Sequence, residues 1–197
     1  AAGVNIVCGT EANADTVRGE NPDVVIIAVG GMRSEAVASG TDATPVVSIN
    51  DFMAAEIGEN VVVAGFNAQA YDTAQYLLAQ GKRVTMVAAD PIEGLGKGQS
   101  TKMLAFTTPG YFAAGGRALA ESSIESVGDG AVTVRTGTGA VLEIPCDAVV
   151  DASDMVPNTA LASELASEFE VVSVGDCADP WDIQAAIATA NLAARAC

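Results

Sequence analysis

Apolar residues in this chain fall into short runs separated by glycine, proline and polar clusters. The clearest succession lies between Asn60 and Asp90, NVVVAGFNAQAYDTAQYLLAQGKRVTMVAAD. Val61, Val62 and Val63 form a β-branched run, and Gly65 stands where such a strand turns into a helix. Ala70, Ala74, Leu77 and Leu78 recur at helical spacing, Gly81 occupies a C-terminal stop position, and Val84–Val87 reads as the next strand. This is a βαβ start, the unit that binds dinucleotides in doubly wound sheets.

The flanking pattern predicts further elements. Before the βαβ unit, Asn5–Cys8 is a strand candidate and Glu11–Glu20 a loose helix. Val24–Val29 is a continuous apolar run closed by Gly30-Gly31, as expected of a fully buried strand. Residues 34–45 read as loop, and Ser48–Ile57 as a helix with Asn50 or Asp51 near its cap. After the βαβ unit, a helix over Thr101–Ala114 is expected to break at Pro109-Gly110. Three closely spaced strand-like pieces follow, Ser122–Val127, Ala131–Arg135 and Val141–Ile144, joined by Gly-rich turns. That spacing predicts an antiparallel meander, not another crossover. Ala148–Ala152 and Val171–Val174 are the last strand candidates. Asp179-Pro180 reads as an N-cap and first-turn proline, ahead of a helix with Ile183, Ala186, Ile187, Ala190 and Ala194 on one stripe. The fold class is therefore α/β: a Rossmann-like βαβ domain with a β-meander, plus segments of a second, incomplete domain.

The nucleotide fingerprint G-x-G-x-x-G would place glycines at positions 65, 67 and 70, where this chain has Gly65, Asn67 and Ala70. Gly65 permits the tight turn, and the helix after it points free N–H groups and a positive dipole end at an anion. A side chain at Asn67 either crowds a pyrophosphate or hydrogen-bonds to it, and Phe66 is expected to cover the turn with its ring. The ribose-binding acid belongs at the end of the second strand. Ala88 holds that position, with Asp90 two residues later as the replacement carboxylate. No arginine stands near it to accept a 2′-phosphate, which favours NAD over NADP.

Composition narrows the partners. The chain has 197 residues and a net charge of -16, so a polyanion would be repelled and nucleic acid is excluded as a partner. No apolar run has membrane-spanning length, and no basic cluster marks a membrane surface. The N-terminus shows no basic region followed by an apolar core, so no signal peptide is expected, and Ala1-Ala2 without Met suits a processed or excised chain. Cys8, Cys146, Cys177 and Cys197 show no C-x-x-C spacing and there is no histidine, so no metal site is expected. Buried reduced thiols in a cytoplasmic protein are the expectation, with Cys177 a packed thiol.

Four segments carry a family resemblance. A strand reads Val25-Ile26-Ile27-Ala28-Val29-Gly30, where the family has an A-T-G-like ending. The βαβ unit carries Asp72-Thr73-Ala74 in place of Glu-Thr-Ala. The chain then returns through Val149–Asn158 with its Pro-Asn pair and ends on Gly175-Asp176-Cys177-Ala178-Asp179-Pro180, a G-D-C-x-x-P motif followed by a helix. In this order they resemble the C-terminal region of the old-yellow-enzyme-like NADH:flavin oxidoreductases, the family of 2,4-dienoyl-CoA reductase, enoate reductase and trimethylamine dehydrogenase.

The resemblance implies a partial FAD-binding-type domain over residues 1–57 and 148–197, and an NAD(P)H-binding-like domain over residues 58–147. It implies NAD at Gly65, Phe66, Asn67, Ala70 and Asp90. It also implies FAD, in the full-length parent, near Gly30, Gly175 and Asp176. No catalytic side chain is assigned. The implied partners are the parent's N-terminal parts, a barrel and the first FAD-binding βαβ. Asp154 stands where the family has a glycine. With Asn67, Ala70 and Ala88 it leaves a second possibility open: a non-catalytic scaffold or an ADP-binding module.

Overall fold

The computed structural model describes residues 3–34 and 37–197. In chain order it contains α1 (Ala14–Glu20), β1 (Val24–Ile27), β2 (Gly31–Arg33), β3 (Val46–Ser48), β4 (Asn60–Ala64), α2 (Ala68–Ala79), β5 (Arg83–Val87), α3 (Thr101–Ala113) and β6 (Arg117–Leu119). Then come β7 (Ser122–Gly128), β8 (Ala131–Thr136), β9 (Val141–Pro145), β10 (Ala148–Asp151), β11 (Met155–Pro157), α4 (Ala160–Leu165), β12 (Glu170–Ser173) and α5 (Ile183–Ala196). The chain divides into two compact units, one formed by Ala1–Met32 with Met155–Cys197 and the other by Arg33–Asp154.

The unit Arg33–Asp154 is built on a five-stranded parallel sheet in the order β3-β10-β4-β5-β6. Its central strand explains the apolar run at Val61–Val63. A parallel strand covered on both faces has no solvent side, so alternation disappears. Val61 and Val63 face a core with Ala70, Ala74 and Leu77 of α2 and Val84 and Met86 of β5. Val62, between them, faces the other way, into a core with Val132 and Val134 of β8. The sheet therefore lies between helices on one face and the antiparallel meander β7-β8-β9 on the other. Ser48–Ile57 is not a helix. Val46–Ser48 pairs with β10, and Ile49 N–H donates to the Asp151 carbonyl, so sheet pairing takes the segment's start. Only a 3₁₀ turn at Phe52–Ala54 remains.

Nor does Pro109 break its helix: α3 runs through it. Pro109 is exposed and forfeits one backbone bond. Two residues on, Tyr111 is buried, with its ring centroid 5.7 Å from that of Tyr71 and its hydroxyl donating to the Arg117 carbonyl at 2.6 Å. That anchor holds the last turn in register.

The other unit has a smaller core, in which Ala14, Val25, Ile27, Leu165 and Cys177 are buried together. β1 pairs in parallel with β12. The sheet here is two-stranded, so the run at Val24–Val29 is only half covered and Ile26 is exposed. Asn5–Cys8 forms no strand, and Ile6 and Val7 are exposed. Arg18 of α1 forms a two-pronged pair with Glu168, at 2.9 and 2.8 Å. The final helix begins at Ile183, later than Asp179-Pro180 suggested. Its cap is Asp182, whose Oδ1 accepts from Ala185 N–H at 2.7 Å. Of its predicted apolar stripe, Ile183 and Ile187 are 80% and 64% exposed and Ala194 is exposed as well; the buried position is Ala193, off the stripe.

Candidate functional site

A cleft of about 270 Å³ opens above the carboxyl ends of β4 and β5. It is lined by the turn Ala64–Phe66, by Val87–Asp90, by Ser122 and Ser123, and by Ser153 and Asp154 after β10. The strand order reverses here: the chain leaves β4 for β5 on one side, while β10 pairs on the other. Open parallel sheets bind ligands at such a switch point.

Gly65 fixes the shape of the turn. Its φ of +124° lies in a region that L side chains rarely adopt, and a Cβ there would lie 2.5 Å from the Ala152 carbonyl oxygen. Its N–H donates to the Val87 carbonyl at 2.8 Å, which ties the turn to β5. Ala70 is fully buried, where its small side chain lets α2 pack closely on the sheet. Phe66 does not cover the turn: its side chain is 1% exposed in the core, and its carbonyl accepts from Gly96 and Lys97 N–H groups at 2.7 and 3.1 Å. The glycine-rich passage after β5 thereby crosses the start of α2.

Asn67 is the N-cap of α2. Its Oδ1 accepts from Ala70 N–H at 3.0 Å, and its Nδ2 donates to the Ala152 carbonyl at 2.7 Å and to Asp154 Oδ1 at 2.9 Å. One of the helix's free donors is thus satisfied from within, the parallel bridge between Asn67 and Lys97 turns the Ala68 N–H to the Lys97 carbonyl, and nothing among the described residues accepts from the Gln69 N–H. Lys97 Nζ lies 3.8 Å from Asp154 Oδ2. Arg33 donates to the Ser153 carbonyl at 2.9 Å and to Gln69, and its Nε is buried with no partner among the described residues. Partial burial lowers the Arg33 pKa, against the opposing pull of the Asp151 and Asp154 carboxylates.

Of the residues singled out from sequence, Gly65, Phe66 and Asp90 line the cleft, Asn67 borders it through Asp154, and Ala70 lies beneath it. Asp90 anchors its loop through its carbonyl, which accepts from Glu121 N–H, while its carboxylate meets no donor among the described residues. Gly30, Gly175 and Asp176 belong to the other unit. There Gly175 has φ +64° and donates its N–H to Thr189 Oγ1 at 3.0 Å, and Asp176 Oδ1 accepts from Trp181 N–H at 3.4 Å. Gly30, with φ +78°, has open space where a Cβ would stand.

Cys177 is buried, and its thiol donates to backbone carbonyls of Ile27 and Val174. Cys146 is also buried, whereas Cys8 and Cys197 are exposed, so only half of the thiols are packed. Among the described residues no helix is long and apolar enough to cross a membrane. Arg33, Lys97 and Ser153 were not expected at the site. Their only sequence signal was being polar in glycine-rich or loop segments.

Comparison with solved structures shows where this arrangement recurs. The complex of 2-naphthoyl-CoA reductase with 2-naphthoyl-CoA superposes with a TM-score of 0.74 and 30% identity over 90% of this chain. Histamine dehydrogenase from Rhizobium sp. 4-9 gives 0.77 and 19% over 94%. The 6-hydroxypseudooxynicotine amine oxidase from Pseudomonas geniculata N1 gives 0.70 and 22% over 90%. The chain shares the fold of a segment of these oxidoreductases. It spans 27%, 32% and 29% of their respective lengths. No family model and no curated protein matches the sequence.

Proposed function

We propose that this chain is a segment of a flavin-dependent oxidoreductase, in which the unit Arg33–Asp154 positions NADH and the other unit contributes part of an FAD site. The observation that carries this reading is the cleft at the switch point, floored by a turn in which only glycine fits. The pyrophosphate lies over Gly65 and takes the free N–H group of Gln69, and Asp90 takes the ribose hydroxyls. In the FAD site, Gly30 leaves room for backbone approach, Gly175 supplies the left-handed turn, and Asp176 offers a carboxylate to the flavin's ribityl chain. The cofactors supply the hydride chemistry. This chain's residues bind and orient them, and no side chain here is a catalytic residue.

The family resemblance in the sequence and the redox-enzyme neighbours support this reading. The remainder of the parent supplies the barrel, the first FAD-binding βαβ and the enone- or enoyl-type substrate site. The half-covered two-stranded parallel sheet and the apolar residues of α5 left in solvent give that remainder a surface to cover. A second reading, an ADP-binding or scaffold module, is favoured by Asn67, whose side chain occupies the place of the second glycine and caps the helix itself.

Calorimetric titration of the chain with NADH and with ADP, at low salt and with added FAD as a further arm, tests both. A Kd for NADH below about 1 mM, about 4 kcal/mol, supports the first reading. Binding of ADP alone supports the second, and no saturable binding of either leaves a scaffold.

A further inference from the structure

Asp154 puts a carboxylate beside the N-terminus of α2, where the proposed function puts a diphosphate. Two contacts define its setting: Asn67 Nδ2 donates to its Oδ1 at 2.9 Å, and Lys97 Nζ lies 3.8 Å from its Oδ2. A second cation, Arg33, donates to the carbonyl of the adjacent Ser153 at 2.9 Å, close enough for the Asp154 charge to act on it. The carboxylate is thus an anion already placed near two cations of the turn. It lines the cleft and is half-exposed, so an incoming phosphate meets its field.

We infer that Asp154 is a specificity-determining residue, one that selects among adenine nucleotides by phosphate charge and favours the diphosphate diester of NADH over the terminal diphosphate of ADP. The inference rests on the proposed nucleotide site. A phosphate diester carries one negative charge, whereas a terminal phosphate carries most of a second at neutral pH. Repulsion from a fixed carboxylate grows with that extra charge, and it falls on ADP more heavily than on NADH. The favourable half of the field comes from Lys97 and Arg33, which Asp154 partly neutralises. Replacing the carboxylate with an amide keeps an oxygen to accept from Asn67 and releases both cations to the ligand.

Calorimetry on wild type and Asp154→Asn with NADH, ADP and adenosine tests this, at two salt concentrations. Wild type is expected to bind NADH more tightly than ADP. The variant is expected to gain about tenfold for ADP and clearly less for NADH, with adenosine unchanged. The ADP gain should shrink as salt rises, and adding Lys97→Met should remove much of it. A bystander role for Asp154 would leave the NADH-to-ADP ratio unchanged; that result overturns the inference while the nucleotide site stands. A loss of ADP affinity in the variant overturns it too, by making Asp154 a ligand-holding group. Absence of all nucleotide binding in both proteins removes the proposed function and this inference together. ADP binding gained by the variant, with no NADH binding in either protein, removes the NADH reading and overturns the stated preference for NADH.

Discussion

The carbonyl oxygen of Ala152 lies 2.5 Å from where a Cβ on Gly65 would stand. This contact joins the end of β10 to the turn after β4, and it sets the floor of the cleft. Gly65→Ala meets both the clash and a φ of +124° that alanine does not tolerate. The expected cost is about 2–4 kcal/mol in urea unfolding. A loss under about 0.5 kcal/mol, the size of an ordinary surface substitution, would show that the turn relaxes freely and is no rigid floor.

Pro109 sits on the exposed face of α3 and denies the helix one backbone donor. Pro109→Ala restores that donor without disturbing a packed side chain. Stability is expected to rise by about 1–3 kcal/mol, read as a higher urea midpoint at unchanged slope. A fall would mean that the proline's fixed φ is needed to seat Tyr111.

Burial pushes the Cys146 thiol from its ordinary value of 9.0 up to about 11, with the nearby Asp147 carboxylate adding to the effect. The unfolded chain therefore releases this proton at a lower pH than the folded one. The contribution is fully present below about pH 9 and is lost as pH rises through the folded value near 11. Cys146→Ala should flatten that part of the stability profile, measured by urea unfolding at successive alkaline pH values. In parallel, an aromatic disulfide reagent should titrate Cys8 and Cys197 rapidly in the native protein, and Cys146 and Cys177 only on unfolding.

The Asn60 N–H bonded to Asp147 Oδ2 at 2.8 Å holds the Asp147 carboxyl below its ordinary range, helped by the Asn60 side chain. The sign is opposite to that of Cys146. This stabilisation is present above the ordinary value of 3.8 and is lost as pH falls through the lower folded value. Asp147→Asn should lower stability at neutral pH and give a shallower acid limb, measured as the pH dependence of the urea midpoint. Parallel acid limbs in the two proteins would place the acid sensitivity elsewhere.

The strand–turn–helix–strand from Asn60 to Val87 was legible in the sequence because each part is local. β-branched residues mark β4, spacing along one helix face marks α2, and glycines mark the turn and the stop. The meander was legible for the same reason, since tight glycine turns fix antiparallel neighbours within a few residues. The Ser48–Ile57 helix and the break at Pro109 were misread where pairing with β10 and the burial of Tyr111 outweighed local preference.

Sequence by itself therefore determined the βαβ core, the α/β class and the weakened glycine fingerprint. Tertiary structure alone decided that β10 lies beside β4 and delivers Asp154 to Asn67, 87 residues earlier in the chain. It also brought Lys97 to that carboxylate and Arg33 to the adjacent Ser153 carbonyl. The physical reason is range. Periodicity and turn chemistry act over a few residues, whereas parallel pairing and the convergence of loops depend on which distant strands share a sheet, and no local pattern encodes that choice.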